Sequence, residues 1–261
     1  MIAIVGDGLL GQSIAEWCRA LDVPHRLLTH ADIEVTDPAN CYHALKDASV
    51  AINTAAYHDL TACEQRPDRA EAVNWFGALY VANACREVYV STDYASPGSE
   101  TWAPPLGGSI YAQTKAMGER ETLDRGGAVV RVGPLFGHYP SHKGRTFTGT
   151  ILASRDPISL PVDQRFSPTY AHDAAVRIVQ IARGLPHGVG AIYHAANDGS
   201  CTWAEFGRAI CKATGHQREI SARIADDPLR PTDSTLRSEA LPPLRWWRDA
   251  LDAWAVREGW A

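Results

Sequence analysis

Met1-Ile2-Ala3-Ile4-Val5-Gly6-Asp7-Gly8-Leu9-Leu10-Gly11 opens the chain, and its reading decides the fold. A short apolar run closed by glycine reads as a strand. Leu10, Ile14, Trp17 and Leu21 then recur at helical spacing. The stretch therefore predicts a strand, a tight turn and a helix. Three glycines in a GxGxxG pattern let the backbone turn sharply and approach a pyrophosphate, while the helix N-terminus offers unpaired N–H groups and the positive end of its dipole. Gly6, Asp7, Gly8, Leu9, Leu10 and Gly11 are accordingly candidate dinucleotide contacts. GxGxxG alone is a weak signal. Its place directly after a strand gives it weight, and the competing reading is a glycine-rich turn without a ligand.

Outward from this unit the same alternation continues. Apolar or β-branched stretches at 26–29, 50–53, 88–91 and 128–132 read as strands, and patterns over 38–47, 69–85 and 109–123 read as helices. Strands interleaved with helices of this length require crossover connections, hence a mainly parallel sheet covered on both faces. The predicted class is α/β, a Rossmann-type doubly wound parallel sheet with a smaller C-terminal substrate lobe. Past residue 137 the pattern loosens, with a Gly, Pro, Ser and basic loop over 138–145 and helices expected at 147–154, 172–183, 202–214 and 245–258. The predicted division is a dinucleotide-binding domain over 1–137, to which 170–198 returns, and a smaller lobe from 138–169 and 199–261.

The 261 residues are 45% hydrophobic and 21% charged, with a formal net charge of −5. That balance is ordinary for a globular protein and lacks the basic excess of a nucleic-acid binder. No leader-like segment opens the chain, and no apolar run approaches the roughly 18 residues a membrane span needs. A cytoplasmic protein without nucleic-acid or membrane partners is expected. Six cysteines are scattered without metal-ligand spacing, and His138, His142 and His172 form no ligand set, so neither disulfides nor a metal site is predicted. Trp247, Leu251 and Trp254 share one helical face and read as core or subunit packing.

Two further motifs carry chemistry. Tyr111 and Lys115 stand four residues apart on a predicted helix, so the phenol and the ammonium share a face and the charge favours the phenolate. A free tyrosine titrates near pH 10, and a neighbouring cation brings it toward use as a proton donor. Ser91-Thr92-Asp93-Tyr94 follows a predicted strand, at the end where such sheets face their ligands. A hydroxyl there can polarise a substrate oxygen, although a simple turn is the alternative. Asp32 stands near the spacing of a ribose-binding acid, but beyond the expected end of the second strand, where a loop or capping role competes. NADH and NADPH are not separated on this basis.

Together these stretches resemble an extended short-chain dehydrogenase/reductase, and more closely the dTDP-4-dehydrorhamnose reductase (RmlD-like substrate-binding) family. Asn53-Thr54-Ala55-Ala56-Tyr57 with Glu64 is similar to that family's NAAAY…E, and Ala72-Val73-Asn74 with Gly77 to its VNxxG. Ser91 to Tyr94 matches STDY, and Tyr111 to Lys115 with Gly118-Glu119 resembles YGxxKxxGE. Residues 131–137 resemble RTxWVYG. Asp163-Gln164, Pro168-Thr169 and Asp173 resemble DQxxxPTxxxD. Tyr193-His194, Thr202-Trp203 and Arg230-Pro231 with Ser234 and Leu236 resemble the closing elements. The matches run in order over about residues 2 to 240.

The resemblance implies NADPH- or NADH-dependent reduction of the keto group of a nucleotide-diphospho-4-keto-6-deoxysugar. Thr92, Tyr111 and Lys115 would be catalytic. Tyr111 would give the proton, Lys115 would bind the nicotinamide ribose and tune Tyr111, and Thr92 would hydrogen-bond the reacting oxygen. Ala55, Ala56 and Tyr57 would line the cofactor beside the glycine loop, Tyr111 and Lys115. Thr92, Asp93, Tyr94, Arg165 and Arg230 would meet the substrate, with Lys143 and Arg145 as further loop cations. A homodimer through the long helices is common in this superfamily.

Departures from the family pattern are a glycine loop one residue short, Ala112 after the tyrosine, Pro134 at the tryptophan position and a short 92–111 connection. Ser13 stands where some members carry a magnesium-binding glutamate, in keeping with no metal. Tyr94 follows Asp93 where sugar dehydratases carry a second acid. An NDP-sugar epimerase uses the same Tyr and Lys and stays open as an alternative. So does a non-catalytic dinucleotide-binding subunit similar to methionine adenosyltransferase β.

Overall fold

The computed structural model describes residues 1–95, 99–104, 108–140, 146–184 and 190–260. Its centre is a parallel sheet of β1 (Ile2–Val5), β2 (His25–Leu28), β3 (Val50–Asn53), β4 (Glu87–Thr92), β5 (Ala128–Val132) and the strand Ile192–His194. The order is β2-β1-β3-β4-β5, with Ile192–His194 outside β5. Every residue of β1, β3, β4 and β5 is buried, as expected of strands covered on both faces. Successive side chains serve opposite layers. Ile2 and Ile4 pack with Ile14, Cys18 and Ile178, whereas Ala3 and Val5 pack with Cys41, Leu45 and Val81. Helices Leu9–Ala20 and Ala171–Ala182 cover the first face. The strand order reverses between β1 and β3, which opens a crevice at their C-terminal ends.

The helix expected over 69–85 is not uniform. It runs through Pro67–Ala70, a π-helical segment Glu71–Phe76 and Gly77–Ala84. Such widened turns concentrate at functional sites, and this one surrounds buried Asn74. The Asn74 amide donates to the Tyr57 carbonyl (3.0 Å) and Thr114 Oγ1 (3.1 Å) and accepts from the Tyr57 N–H (2.8 Å). One side chain thus fastens the 54–57 loop to the helix Ile110–Asp124. That helix approaches so closely that a Cβ on Gly118 would lie 2.3 Å from the Asn74 carbonyl oxygen.

A second core joins Phe136, Ile151, Phe166, Phe206, Trp247 and Trp254. Helix Trp203–Ala213 starts in a capping box: Thr202 Oγ1 accepts from Glu205 N–H, and Glu205 Oε2 accepts from Thr202 N–H. The face of Trp247, Leu251 and Trp254 is buried in helix Trp247–Arg257, while Trp246 and Trp260 are exposed. None of the six cysteines is in a disulfide. Among the described residues no helix is long and apolar enough to cross a membrane, and no cluster could hold a metal ion.

Candidate active site

A cavity of about 580 Å³ follows the C-terminal edge of the sheet. It begins at Thr29, His30 and Glu34 beyond β2, passes the glycine loop and Thr54 to His58, reaches Thr92, Tyr111 and Lys115, and ends on Trp203 and Arg230 of the second core's side. Gly6 takes φ +100°, and a Cβ there would meet Thr54 Oγ1 at 2.7 Å. A Cβ on Gly11 would fall 1.9 Å from the Gly6 carbonyl oxygen, so the first helical turn can lie on the loop only without one. The helix N-cap is Gly8, with no side-chain cap and no acid in the first turn. Its opening N–H groups and dipole therefore suit an anion, and the shape of the cavity suits a dinucleotide laid across the sheet.

Of the predicted loop contacts, Gly6, Gly8, Leu9, Leu10 and Gly11 line the cavity, as do Ala55, Ala56 and Tyr57. Asp7 does not line it; the residue between the glycines is carried outside by the turn that Gly6 makes. Asp32 is also outside. Its Oδ2 accepts from Thr29 N–H and Oγ1, both at 2.8 Å, which makes it a turn residue. The polar groups at that end are instead His30, Glu34 and Arg69, which no motif marked.

At the opposite end, the Tyr111 phenol lies in the cavity with Thr92, whose hydroxyl acts on it, and its ring meets the Tyr94 ring edge-on at 6.1 Å. Burial pushes the phenol well above its usual range, opposed by the Thr92 hydroxyl. The sequence led to the reverse expectation, that Lys115 would pull the phenol down. Lys115 is fully buried, donates to the Val90 carbonyl at 2.7 Å and stands 3.9 Å over the Tyr89 ring centre. Burial lowers its ammonium to about 7, against the pull of Glu119 and Glu87. Sharing a helix face brought the two side chains into one cavity, but desolvation dominates the shift of each.

Asp93 lines the cavity with both carboxylate oxygens engaged, Oδ1 by Thr92 Oγ1 at 3.0 Å and Oδ2 by Ser234 Oγ. Burial raises it to about 7, and the Ser234 and Thr92 bonds oppose that rise. Tyr94 accepts from Arg230 Nη1 at 3.0 Å, and Arg230 is held in turn by Asp227 at 2.9 Å. Burial raises Tyr94 to about 12. Arg165 is not brought to this site. In the strand Arg165–Phe166 the phenylalanine faces the core, so the arginine alternates outward, where it reaches Ser200 and, at 3.9 Å, Glu205. Lys143, Arg145 and His142 lie outside the described residues.

Beneath the site is an ion pair that no spacing announced. Arg131 and Glu119, both without side-chain exposure, form two hydrogen bonds of 2.8 and 2.7 Å, and Arg131 also donates to the Ser99 carbonyl at 2.7 Å. The pair ties the Tyr111 helix to β5.

Sheet, glycine cradle and buried Thr-Tyr-Lys group together define a two-lobed α/β protein of the short-chain dehydrogenase/reductase type. More narrowly, the chain belongs to the RmlD substrate binding domain family, whose model matches residues 1–257. A dTDP-4-dehydrorhamnose reductase of Mycolicibacterium smegmatis is 32% identical over 280 residues, spanning 96% of this chain and 83% of that protein. The spore coat polysaccharide biosynthesis protein SpsK of Bacillus subtilis is 28% identical, spanning 96% of each. The crystal structure of dTDP-4-dehydrorhamnose reductase from Bacillus anthracis in complex with NADP superposes with a TM-score of 0.87 over 98% of both chains, at 24% identity, a likeness of fold.

Proposed function

We propose that this protein is an NAD(P)H-dependent oxidoreductase that reduces the keto group of a nucleotide-diphospho-4-keto-6-deoxysugar, the chemistry named for its dTDP-4-dehydrorhamnose reductase relatives. The observation that carries the reading is the grouping of Thr92, Tyr111 and Lys115 in one cavity continuous with the glycine cradle. Gly6, Gly8 and Leu9 to Gly11 hold the pyrophosphate, and Ala55, Ala56 and Tyr57 line the path to the nicotinamide. Lys115 and Tyr111 stand at its ribose. The reduced dinucleotide, when bound, supplies the electron pair and one hydrogen for the carbonyl carbon. Thr92 holds the carbonyl oxygen, and Tyr111 gives it a proton as charge develops there. Tyr94 and Arg230 receive the sugar and diphosphate side, from a second lobe assembled out of 138–169 and 199–261. A cytoplasmic homodimer is part of the same reading.

The deciding experiment mixes the protein with dTDP-4-dehydrorhamnose and related nucleotide ketosugars and follows oxidation of NADPH. Stoichiometric oxidation with formation of the alcohol is expected. An epimerised sugar without net NADPH loss, or no turnover across the panel, overturns the reading. Gly11→Ala is expected to weaken dinucleotide binding at least about tenfold, because the methyl collides with backbone and not with a yielding side chain. Fluorescence titration checks this, and unchanged affinity counts against the cradle.

The cofactor preference follows from the far end of the cavity. Arg69 and His30 both act on Glu34, whose carboxylate is committed to Thr36 N–H (3.1 Å) and Oγ1 (2.8 Å). That balance favours the 2′-phosphate of NADPH over a bare ribose. Arg69→Ala is expected to raise the KM for NADPH about tenfold and leave that for NADH nearly unchanged. Equal effects on both cofactors would contradict it.

A further inference from the structure

Asp93, Thr92 and Tyr111 form a continuous chain of hydrogen-bonding oxygens. The Tyr111 phenol interacts with the Thr92 hydroxyl, Thr92 Oγ1 and Asp93 Oδ1 share a hydrogen bond of 3.0 Å in which Oδ1–H is the donor whenever Asp93 is protonated, and Ser234 Oγ donates to Asp93 Oδ2. Asp93 is 3% exposed and Thr92 6%, so the chain is sealed on every side except the cavity. The carboxyl sits in place through its own backbone, whose N–H donates to the Val132 carbonyl at 3.0 Å. Its charged and titratable neighbours are Tyr111 and Tyr94 from the two sides of the cavity and Arg230 from the second lobe, with Asp227 behind Arg230.

We propose that Asp93 restores the proton that Tyr111 loses, passing it through the Thr92 hydroxyl. Asp93 is then a positioning and relay residue that acts through Thr92. The inference rests on the ketone reduction proposed above. In the reducing step the Tyr111 O–H bond breaks and its proton forms the O–H bond of the product alcohol, leaving a phenolate. The phenolate takes the Thr92 proton while Thr92 Oγ takes the Asp93 proton. Three O–H bonds break and three form, and the only electrons transferred are those supplied by the dinucleotide. The carboxylate left behind is stabilised by Ser234 and by the Arg230 charge. It regains its proton from water that enters the cavity when product leaves.

Burial supports the role by keeping Asp93 protonated up to about 7, so the relay is loaded below that pH and empty above it. The test is the pH profile of kcat at saturating NADPH and ketosugar for the wild type, Asp93→Asn and Ser234→Ala. Wild-type kcat is expected to fall as pH rises through about 7. Asn keeps partners for Thr92 and Ser234 but carries no exchangeable acid. Asp93→Asn should therefore lose that limb and run at the wild type's high-pH level throughout. Ser234→Ala removes a donor that favours the ionised form, so its limb should move up by about half to one pH unit.

A purely structural Asp93 would change the melting temperature or KM in the Asn variant and leave the limb where it was, which overturns the proposal. If Asp93→Asn does not fold, an unmoved limb in Ser234→Ala overturns it equally. Absence of any ketosugar turnover sinks the functional reading instead. In that case the infrared carboxylic-acid band assigned by its loss in Asp93→Asn decides the relay: titration near 7 supports it, and titration at the ordinary carboxylate pH overturns it.

Discussion

Tyr111→Phe is expected to lower kcat by about 10²- to 10⁴-fold, the range that a positioned general acid supplies. Dinucleotide affinity should stay nearly constant. The substitution removes one hydroxyl and keeps the ring that meets Tyr94 edge-on, so the cavity wall is preserved. Thr92 retains its hydrogen bond with Asp93. The phenol's strongly raised titration range keeps it protonated through neutral pH, so its loss should be felt in full below about pH 7, where the wild type is most active. Single-turnover rates with cofactor titrations separate the outcomes. Unchanged turnover would remove Tyr111 from the mechanism, whereas equal losses in affinity and rate would assign it to binding.

Glu119→Ala is expected to have the largest effect on stability. It strands the Arg131 guanidinium where neither side chain of the pair has any exposure, and breaking such a pair costs about 3–5 kcal/mol. For a chain of this size that corresponds to a fall in Tm of about 6–20 °C. The bonds from Arg131 to the Ser99 and Thr101 carbonyls persist but do not neutralise the charge. Replacing both partners with apolar residues, Glu119→Leu with Arg131→Met, should recover most of the loss, because two desolvated charges are removed together. Thermal melts of the two single variants and the double variant form the cycle. A double variant as unstable as the sum of the singles would show that shape, and not charge, is what the site requires. Glu119 also supports the charge of Lys115, one turn earlier, so the Ala variant should leave that ammonium more easily deprotonated.

Local chemistry accounts for what could be read along the chain. The β1 strand, its glycine turn and its helix follow from apolar period and backbone freedom within eleven residues. The same local rules place Thr92 at the end of β4 and Tyr111 and Lys115 one turn apart on a helix capped by Ser109. The short helix Leu60–Gln65 and the π-helical turn at Asn74 were not legible. The first lacks apolar periodicity, and the second depends on the Tyr57 loop that Asn74 must reach.

The partners of the site residues lie far apart in the chain, Ser234 with Asp93 and Arg230 with Tyr94, and Arg131 with Glu119 pairs a strand with the helix before it. The turn of Arg165 away from the cavity likewise depends on which face of a two-residue strand meets the core. Burial, which only the packed molecule defines, reversed the expected direction for Tyr111 and lowered Lys115. The order of residues set the elements and the identity of the reactive groups because those depend on neighbours within a few bonds. Protonation, pairing and orientation waited on the fold because desolvation and hydrogen bonding are properties of the space the whole chain encloses.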